Sequence, residues 1–319
     1  MIPLIAAWAI LQAGAPLRLV ATIPLPGVEG RIDHMAADEQ GQRLFIAALG
    51  NNTLEVVDLR AGARTHTIRG LKEPQGVAFS PELNRIFVAN GQGEGCDVYD
   101  GTTFAKLKTI RLGDDSDNVR YDSRSKQVVV GYGSGALAFI NGSTYQEPLF
   151  IGLQAHPESF QLETSGTRVY VNVPDAEQIA IIDRAKKSVI AHWPVTAAKS
   201  NFPMALDEEN HVVIVGCRRP AKALVYDTRS GKLTTSFDIV GDTDDLFVDH
   251  ERHRIYVAGG EGYVDVFADG GGSYRRIQRI ATAPGARTAF FIPSLHRLCV
   301  AVPHRGFRQA SLLVFDTGH

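Results

Sequence analysis

The sequence predicts an all-β fold of seven similar four-stranded units, and three observations carry that prediction. A short apolar phrase recurs: Arg43-Leu-Phe-Ile-Ala, Arg85-Ile-Phe-Val-Ala, Gln127-Val-Val-Val-Gly, Arg168-Val-Tyr-Val-Asn, Val212-Val-Ile-Val-Gly, Arg254-Ile-Tyr-Val-Ala and Arg297-Leu-Cys-Val-Ala. These phrases begin at 43, 85, 127, 168, 212, 254 and 297, at intervals of 42, 42, 41, 44, 42 and 43 residues. No stretch beyond residue 15 carries a long period of 3.6, so helices should be nearly absent.

Each phrase is flanked in the same way. A β-rich segment precedes it, as in Gly76-Val-Ala-Phe-Ser, Asn118-Val-Arg-Tyr-Asp, Ser159-Phe-Gln-Leu-Glu and Asp245-Leu-Phe-Val-Asp. A Gly- or Pro-rich loop follows, then a third strand ending in Asp or Asn: Asp58, Asp100, Asn141, Asp183, Asp227 and Asp316. The sixth unit departs, with Ala268 at that place and Asp269 next. An Asp or Asn at a strand end bonds backbone amides two and three residues on and so makes a turn. A fourth strand comes last, as in Lys106-Leu-Lys-Thr-Ile and Leu233-Thr-Thr-Ser-Phe. Four short strands in about 42 residues are one blade of a β-propeller, and seven such units make seven antiparallel blades.

The seventh unit ends after its third strand. Leu17-Arg-Leu-Val-Ala-Thr-Ile-Pro-Leu resembles the fourth strands and supplies the missing one, so the N-terminal strand closes the last blade. Closure removes the open edges that a linear array would expose. Residues 16–319 are read as a single domain.

Residues 1–15 read as a signal peptide: an apolar run too short to span a bilayer, followed by Ala13-Gly14-Ala15, a small-residue cleavage pattern. Periplasmic or secreted localisation follows as an expectation, with no transmembrane span. Lys and Arg total 33 and Asp and Glu 35, a net charge of −2, which gives no footprint for general nucleic-acid or membrane binding. Cys96, Cys217 and Cys299 fall in three different units, so no disulfide is expected. The closed ring is read as a monomer.

The strand phrases Ile86-Phe-Val-Ala-Asn, Val169-Tyr-Val-Asn and Ile255-Tyr-Val-Ala, each followed by an apolar strand, resemble those of the YVTN-repeat, YncE-like β-propellers. The name-giving tetrad is only approximated. That resemblance implies an exported seven-bladed protein. It leaves function open, because such propellers include binding proteins and enzyme subunits.

Aligning the units locates the channel mouth. The position before each first strand reads Asp33, Gln75, Asp117, Glu158, Phe202, Asp244 and Arg287; the next reads His34, Gly76, Asn118, Ser159, Pro203, Asp245 and Thr288. His156 and Asn201 lie just before the first set, and Arg120 just after the second. A repeating scaffold has no need for such varied residues there. Converging carboxylates repel, which raises pKa values unless a cation sits among them. Arg287 and Arg120 are internal candidates for that cation. Ca²⁺ or Mg²⁺ is the external one, with Asp33, Asn118, Glu158 and Asp244 as hard oxygen ligands. Zinc is disfavoured, since only His34 and His156 offer nitrogen and no ligand-spaced motif exists. The loops after the second strands add Arg218, Arg219, His304 and Arg305 on the same face. A cationic side opposite an acidic side suits a zwitterionic or carboxylate-bearing ligand.

Three readings follow. The first is a binding protein that uses the mouth for a small molecule or a protein partner. The second is a divalent-metal-dependent hydrolase or lyase, similar in layout to propeller lactonases and streptogramin lyases. There Asn201 joins the ligands, and His34 or His156 serves as general acid or base. The third is a subunit docking a redox partner, which ranks last because no CxxCH haem motif is present. No GxSxG, HExxH or nucleophilic Cys signature appears.

Overall fold

A computed structural model describes residues 15–146 and 148–318. The signal-peptide expectation for residues 1–15 falls, apart from Ala15, outside the described residues.

The described chain forms seven separate four-stranded antiparallel sheets. The protein is a seven-bladed β-propeller. Among the described residues the helical content is three single 3₁₀ turns, Leu49–Asn51, Pro174–Ala176 and Pro293–Leu295, and no helix is long and apolar enough to cross a membrane. The innermost strands of blades 1 to 7 are Met35–Asp38, Pro74–Ser80, Ser116–Asp122, Phe160–Leu162, Lys199–Asp207, Thr243–Asp249 and Ala289–Ile292. Blade 7 is completed as expected: Arg18–Pro24 pairs antiparallel with Ser311–Asp316.

The recurrent phrase is the second strand of each blade, and its residues are buried on both faces, as in Leu44 to Ala48 and Ile86 to Asn90. That is why it reads as a continuous apolar run rather than an alternation. Outer strands such as Ala63–Arg69 and Ser188–Pro194 face solvent on one side and alternate. The apolar core divides into seven clusters, each shared between two adjacent blades. The seam cluster joins Ile23, Leu25 and Val28 to Leu312 and Cys299 of blade 7 and to Leu44 and Ile46 of blade 1. The ring is therefore packed without a break.

Arginines that open the phrase tie blades together. Arg43 Nη1 donates to Gly101 O of blade 2 (2.6 Å), and Arg168 Nη1 to Thr228 O of blade 5 (2.7 Å). Arg254 Nη1 donates to both Pro16 O and Thr317 O (2.8 Å each), tying blade 6 to the two terminal segments of blade 7. The terminal Asp and Asn residues make the expected turns. Asp58 Oδ1 accepts from Arg60 and Ala61, Asn141 Oδ1 from Ser143 and Thr144, and Asp269 Oδ1 from Gly271. All three cysteines are free and buried.

Candidate functional site

The ring positions do not simply precede the inner strands. In blades 2, 3, 5 and 6 the strand begins earlier, and the ladder slips across the ring positions: between Pro74 and Val77, Ser116 and Val119, Asn201 and Met204, and Thr243 and Asp245. Bulges of this kind re-aim side chains and are common beside binding sites. Each is preceded by a non-glycine residue in the left-handed region: Glu73, Asp115, Ser200 and Asp242, with φ between 51° and 60°. The backbones crowd here. A Cβ on Gly76 would lie 2.1 Å from Asp117 O, so only glycine lets blades 2 and 3 approach.

A cavity of about 230 Å³ opens at this mouth, lined by Arg31, His34, Gln75, Asp115, Asp117, His156, Glu158, Phe202, Arg218, Asp244 and Arg287. Below it, a cavity of about 340 Å³ fills the channel interior, lined among others by His34, Arg120, Gln161, Asp245, Phe247 and Phe291. His34 belongs to both and stands at the neck. Of the candidates from sequence, Gln75, Asp117, His156, Glu158, Asp244, Arg287, Arg218 and His34 line the mouth. Arg120 and Asp245 line the interior, where Arg120 Nη1 bonds Val119 O (2.9 Å) and Asp245 Oδ2 accepts from Ala289 N (2.7 Å). Asp33 lies just behind the mouth, fully buried, 2.8 Å from Arg31.

The structure turns five candidates elsewhere. Asn118 and Asn201 are buried away from both cavities. Asn201 Nδ2 donates to Asn172 Oδ1 (3.0 Å) and Gln178 O (3.1 Å), a cross-link between blades 4 and 5. His304 Nδ1 pairs with Glu29 at 2.8 Å, and Arg305 closes a small loop on Arg308. The long loop bends both away from the cavity. Arg219 bonds Ser200 Oγ (2.8 Å) at the surface.

Three participants were missed: Arg31, Asp115 and Asp242. Each lies two residues before a ring position, as His156 lies two before Glu158. The same spacing therefore recurs at the mouth in blades 1, 3, 4 and 6, although Asp115 and Asp242 reach it from left-handed and not extended backbone. That signal was present in the sequence.

The charges are not arranged as two opposed arcs. Arg218 pairs with Asp244 through a short Nη2–Oδ1 contact and lies 3.7 Å from Asp242, over the Phe202 ring at 3.9 Å. Arg287 pairs with Asp242 (2.9 Å) and Arg31 with Asp33. The arginines of blades 5, 7 and 1 thus meet acids of blades 6 and 1. Blades 3 and 4 hold Asp115, Asp117 and Glu158 with His156 as the one base.

The titrations reflect this crowding. Burial, with Asp117 and Asp244 nearby, pushes the Asp33 carboxyl up to about 7 against the pull of His34 and Arg31. Burial and Asp117 push Glu158 up to about 8. Burial also raises Asp244, which Arg218 opposes. Burial disfavours charge on His34, but Asp245, Asp33 and Asp117 outweigh it and raise it to about 10. Burial likewise opposes charge on His156, and Asp117, the Gly133 carbonyl and Asp115 overcome it, to about 9. Both imidazoles are therefore cationic at neutral pH, serving as counter-ions.

The sequence matches no protein-family model and no curated protein. Solved structures are similar in fold. A chain of the Kuenenia stuttgartiensis hydrazine synthase superposes with a TM-score of 0.76 at 15% identity, covering 87% of this chain and 95% of that one. A chain of a mitotic checkpoint complex superposes with a TM-score of 0.77 at 12% identity, covering 94% and 91% respectively. At this identity the likeness is one of fold: both agree with the propeller described above.

Proposed function

We propose that this protein is a YVTN/YncE-like binding propeller that holds a small zwitterionic or carboxylate-bearing ligand in the mouth of its channel. The fold supports a binding or scaffold role in general. The observation that carries the narrower reading is the gathering of two buried carboxyls, Asp33 and Asp244, and the half-buried Glu158 around one cavity. All three carboxyls are shifted toward the neutral form by the arrangement. A scaffold gains nothing from that arrangement, whereas binding sites routinely hold such perturbed groups. At about 230 Å³ the cavity lies below the roughly 300–1,000 Å³ usual for drug-sized ligands, which fits a small, highly polar occupant. A cationic group would meet Asp117 and Glu158. A carboxylate would meet Arg287 and Arg31, whose partners Asp242 and Asp33 it would displace. Export through the leader Met1 to Ala15 belongs to the same reading.

A thermal-shift panel of amino acids and small carboxylic acids tests it. A true ligand at about 100 times its Kd stabilises by about 2.7 kcal/mol. Its effect should vanish in both Arg287→Ala and Glu158→Gln. A panel without any stabilising compound, or shifts that persist in both variants, would overturn the assignment.

A further inference from the structure

The acids of blades 3 and 4 differ from the rest of the mouth, because none of them forms an ion pair with an arginine among the described residues; Arg31 acts on Asp117 and Glu158 only from longer range. Asp117 is 7% exposed and accepts no hydrogen bond of normal length among the described residues. We propose that Asp117, His156 and Glu158 bind a divalent first-row transition-metal ion, of the Zn²⁺ or Mn²⁺ type, within the mouth. This deepens the reading of the mouth as a binding site and rests on it.

Geometry is the first support. One donor atom from each of the three residues lies within 4.8 Å of the other two. His156 Nε2 stands 3.7 Å from Asp117 Oδ2. That is too long for a hydrogen bond. Two ligands of one ion with bonds of about 2.0–2.2 Å stand roughly 3–3.5 Å apart, so for this pair a shift of a few tenths of an ångström suffices, while the Glu158 carboxylate, within 4.8 Å of both, must close in by side-chain rotation.

The imidazole is also oriented for the task. Its Nδ1 lies 2.6 Å from Gly133 O. A carbonyl can only accept, so Nδ1 carries the proton and donates it. That leaves Nε2 turned toward Asp117. A ligating histidine commonly has its second nitrogen fixed in this way by a backbone carbonyl. Binding would release the Nε2 proton, and the ion would take over its role as counter-charge.

A separate observation comes from blade 6. Asp244 lines the same cavity, is 8% exposed and leaves Oδ2 buried without a hydrogen-bond partner. The cavity thus contains buried acceptor capacity beyond what its own arginines and histidines use. A metal ion at blades 3 and 4 would relieve this excess.

The donor set selects the metal class. Ca²⁺ and Mg²⁺ prefer shells built wholly of oxygen. One imidazole nitrogen with two carboxylates suits Zn²⁺, Mn²⁺ and their neighbours, so this converging donor set reverses the sequence expectation of Ca²⁺ or Mg²⁺ over zinc. Three protein ligands leave at least one coordination position open to the cavity, as in sites that receive a further ligand.

Isothermal titration of the EDTA-stripped, dialysed protein with Zn²⁺, Mn²⁺, Ca²⁺ and Mg²⁺ decides the matter. One ion should bind per chain, with Zn²⁺ or Mn²⁺ at least tenfold tighter than Ca²⁺ or Mg²⁺. Glu158→Gln and His156→Gln should each weaken that binding at least tenfold. Glu158→Gln removes the ligating carboxylate at constant shape, so the fold should survive, and circular dichroism checks this. A second acidic cavity on blades 5 and 6, with Asp207, Glu209, His250 and His253, provides the control. The double variant His250→Gln/His253→Gln should bind as the parent does. No binding, equal affinity for all four ions, or binding that survives both mouth variants would overturn the proposal, as would binding lost in the control. If an organic ligand still shifts Tm in EDTA through Arg287 while no metal binds, the metal site falls and the mouth reading stands. Metal binding with no organic ligand supports the ion and removes the zwitterion reading.

Discussion

Replacing Leu17 with alanine should destabilise the protein by about 2–5 kcal/mol, whereas Leu19→Ala should change stability by less than about 0.5 kcal/mol. Both residues lie at the head of the strand that closes blade 7. Leu17 is fully buried, in the cluster between blades 6 and 7 with Tyr256, Val264, Phe291 and Phe315. Its backbone is held at both ends by Gln278, which accepts from Leu17 N (2.8 Å) and donates to Leu17 O (2.9 Å). The side chain has no room to re-pack, so truncation leaves a cavity as well as losing about 1.5–3 kcal/mol of burial. Leu19 is 41% exposed on the rim. At roughly 2 °C per kcal/mol for a domain of this size, thermal unfolding followed by circular dichroism should show a Tm drop of about 4–10 °C for Leu17→Ala and almost none for Leu19→Ala. Equal responses, or an unshifted Leu17→Ala, would mean that the N-terminal strand is not part of the closed ring.

Two further outcomes concern the mouth. Asp33 and His34 both bind protons more tightly in the folded state, at about 7 against 3.8 and about 10 against 6.5. The Asp33 contribution is greatest below about pH 4 and is lost as pH rises through 7; that of His34 is complete below 6.5 and is lost through 10. Tm in EDTA should therefore fall steadily from pH 5.5 to 8.5, with Asp33→Asn flattening the lower part of the slope; a Tm that rises with pH contradicts the burial of these groups. Arg218→Ala should cost about 3 kcal/mol, because it leaves the Asp244 carboxylate buried without its cation. Arg218→Ala/Asp244→Asn should recover much of that loss in a urea-unfolding double-mutant cycle, and additive losses would show that the two residues do not act as a pair.

The fold was legible because the second strands are buried on both faces. That burial forces an unbroken apolar phrase at each period, and its spacing counts the blades. The closing strand was legible for the same reason, as a fourth-strand pattern displaced to the front of the chain. The site was legible only in part. Neighbouring residues at a bulge point in opposite directions, so Asp117 faces the cavity while Asn118 is buried behind it, a distinction that alignment of the units does not carry. Loop length gave no direction either: Arg218 follows its strand into the mouth, whereas His304, in a longer loop, turns to Glu29. The pairing of Arg218 and Arg287 with acids of the adjoining blade depends on how neighbouring blades are set against each other, which no local pattern records.

The bulges at the mouth separate two kinds of sequence constraint. Residues in the regular ladders must keep alternation, volume and register, or adjacent blades lose contact. Gln75, Asp117, Phe202 and Asp244 sit where the ladder is interrupted, so their side chains can be exchanged without moving a strand by one residue. Chemistry at the mouth is thus free to drift, or to be redesigned, on an unchanged frame. One scaffold of this kind can present a different set of charged groups in each descendant while its seven blades continue to read alike.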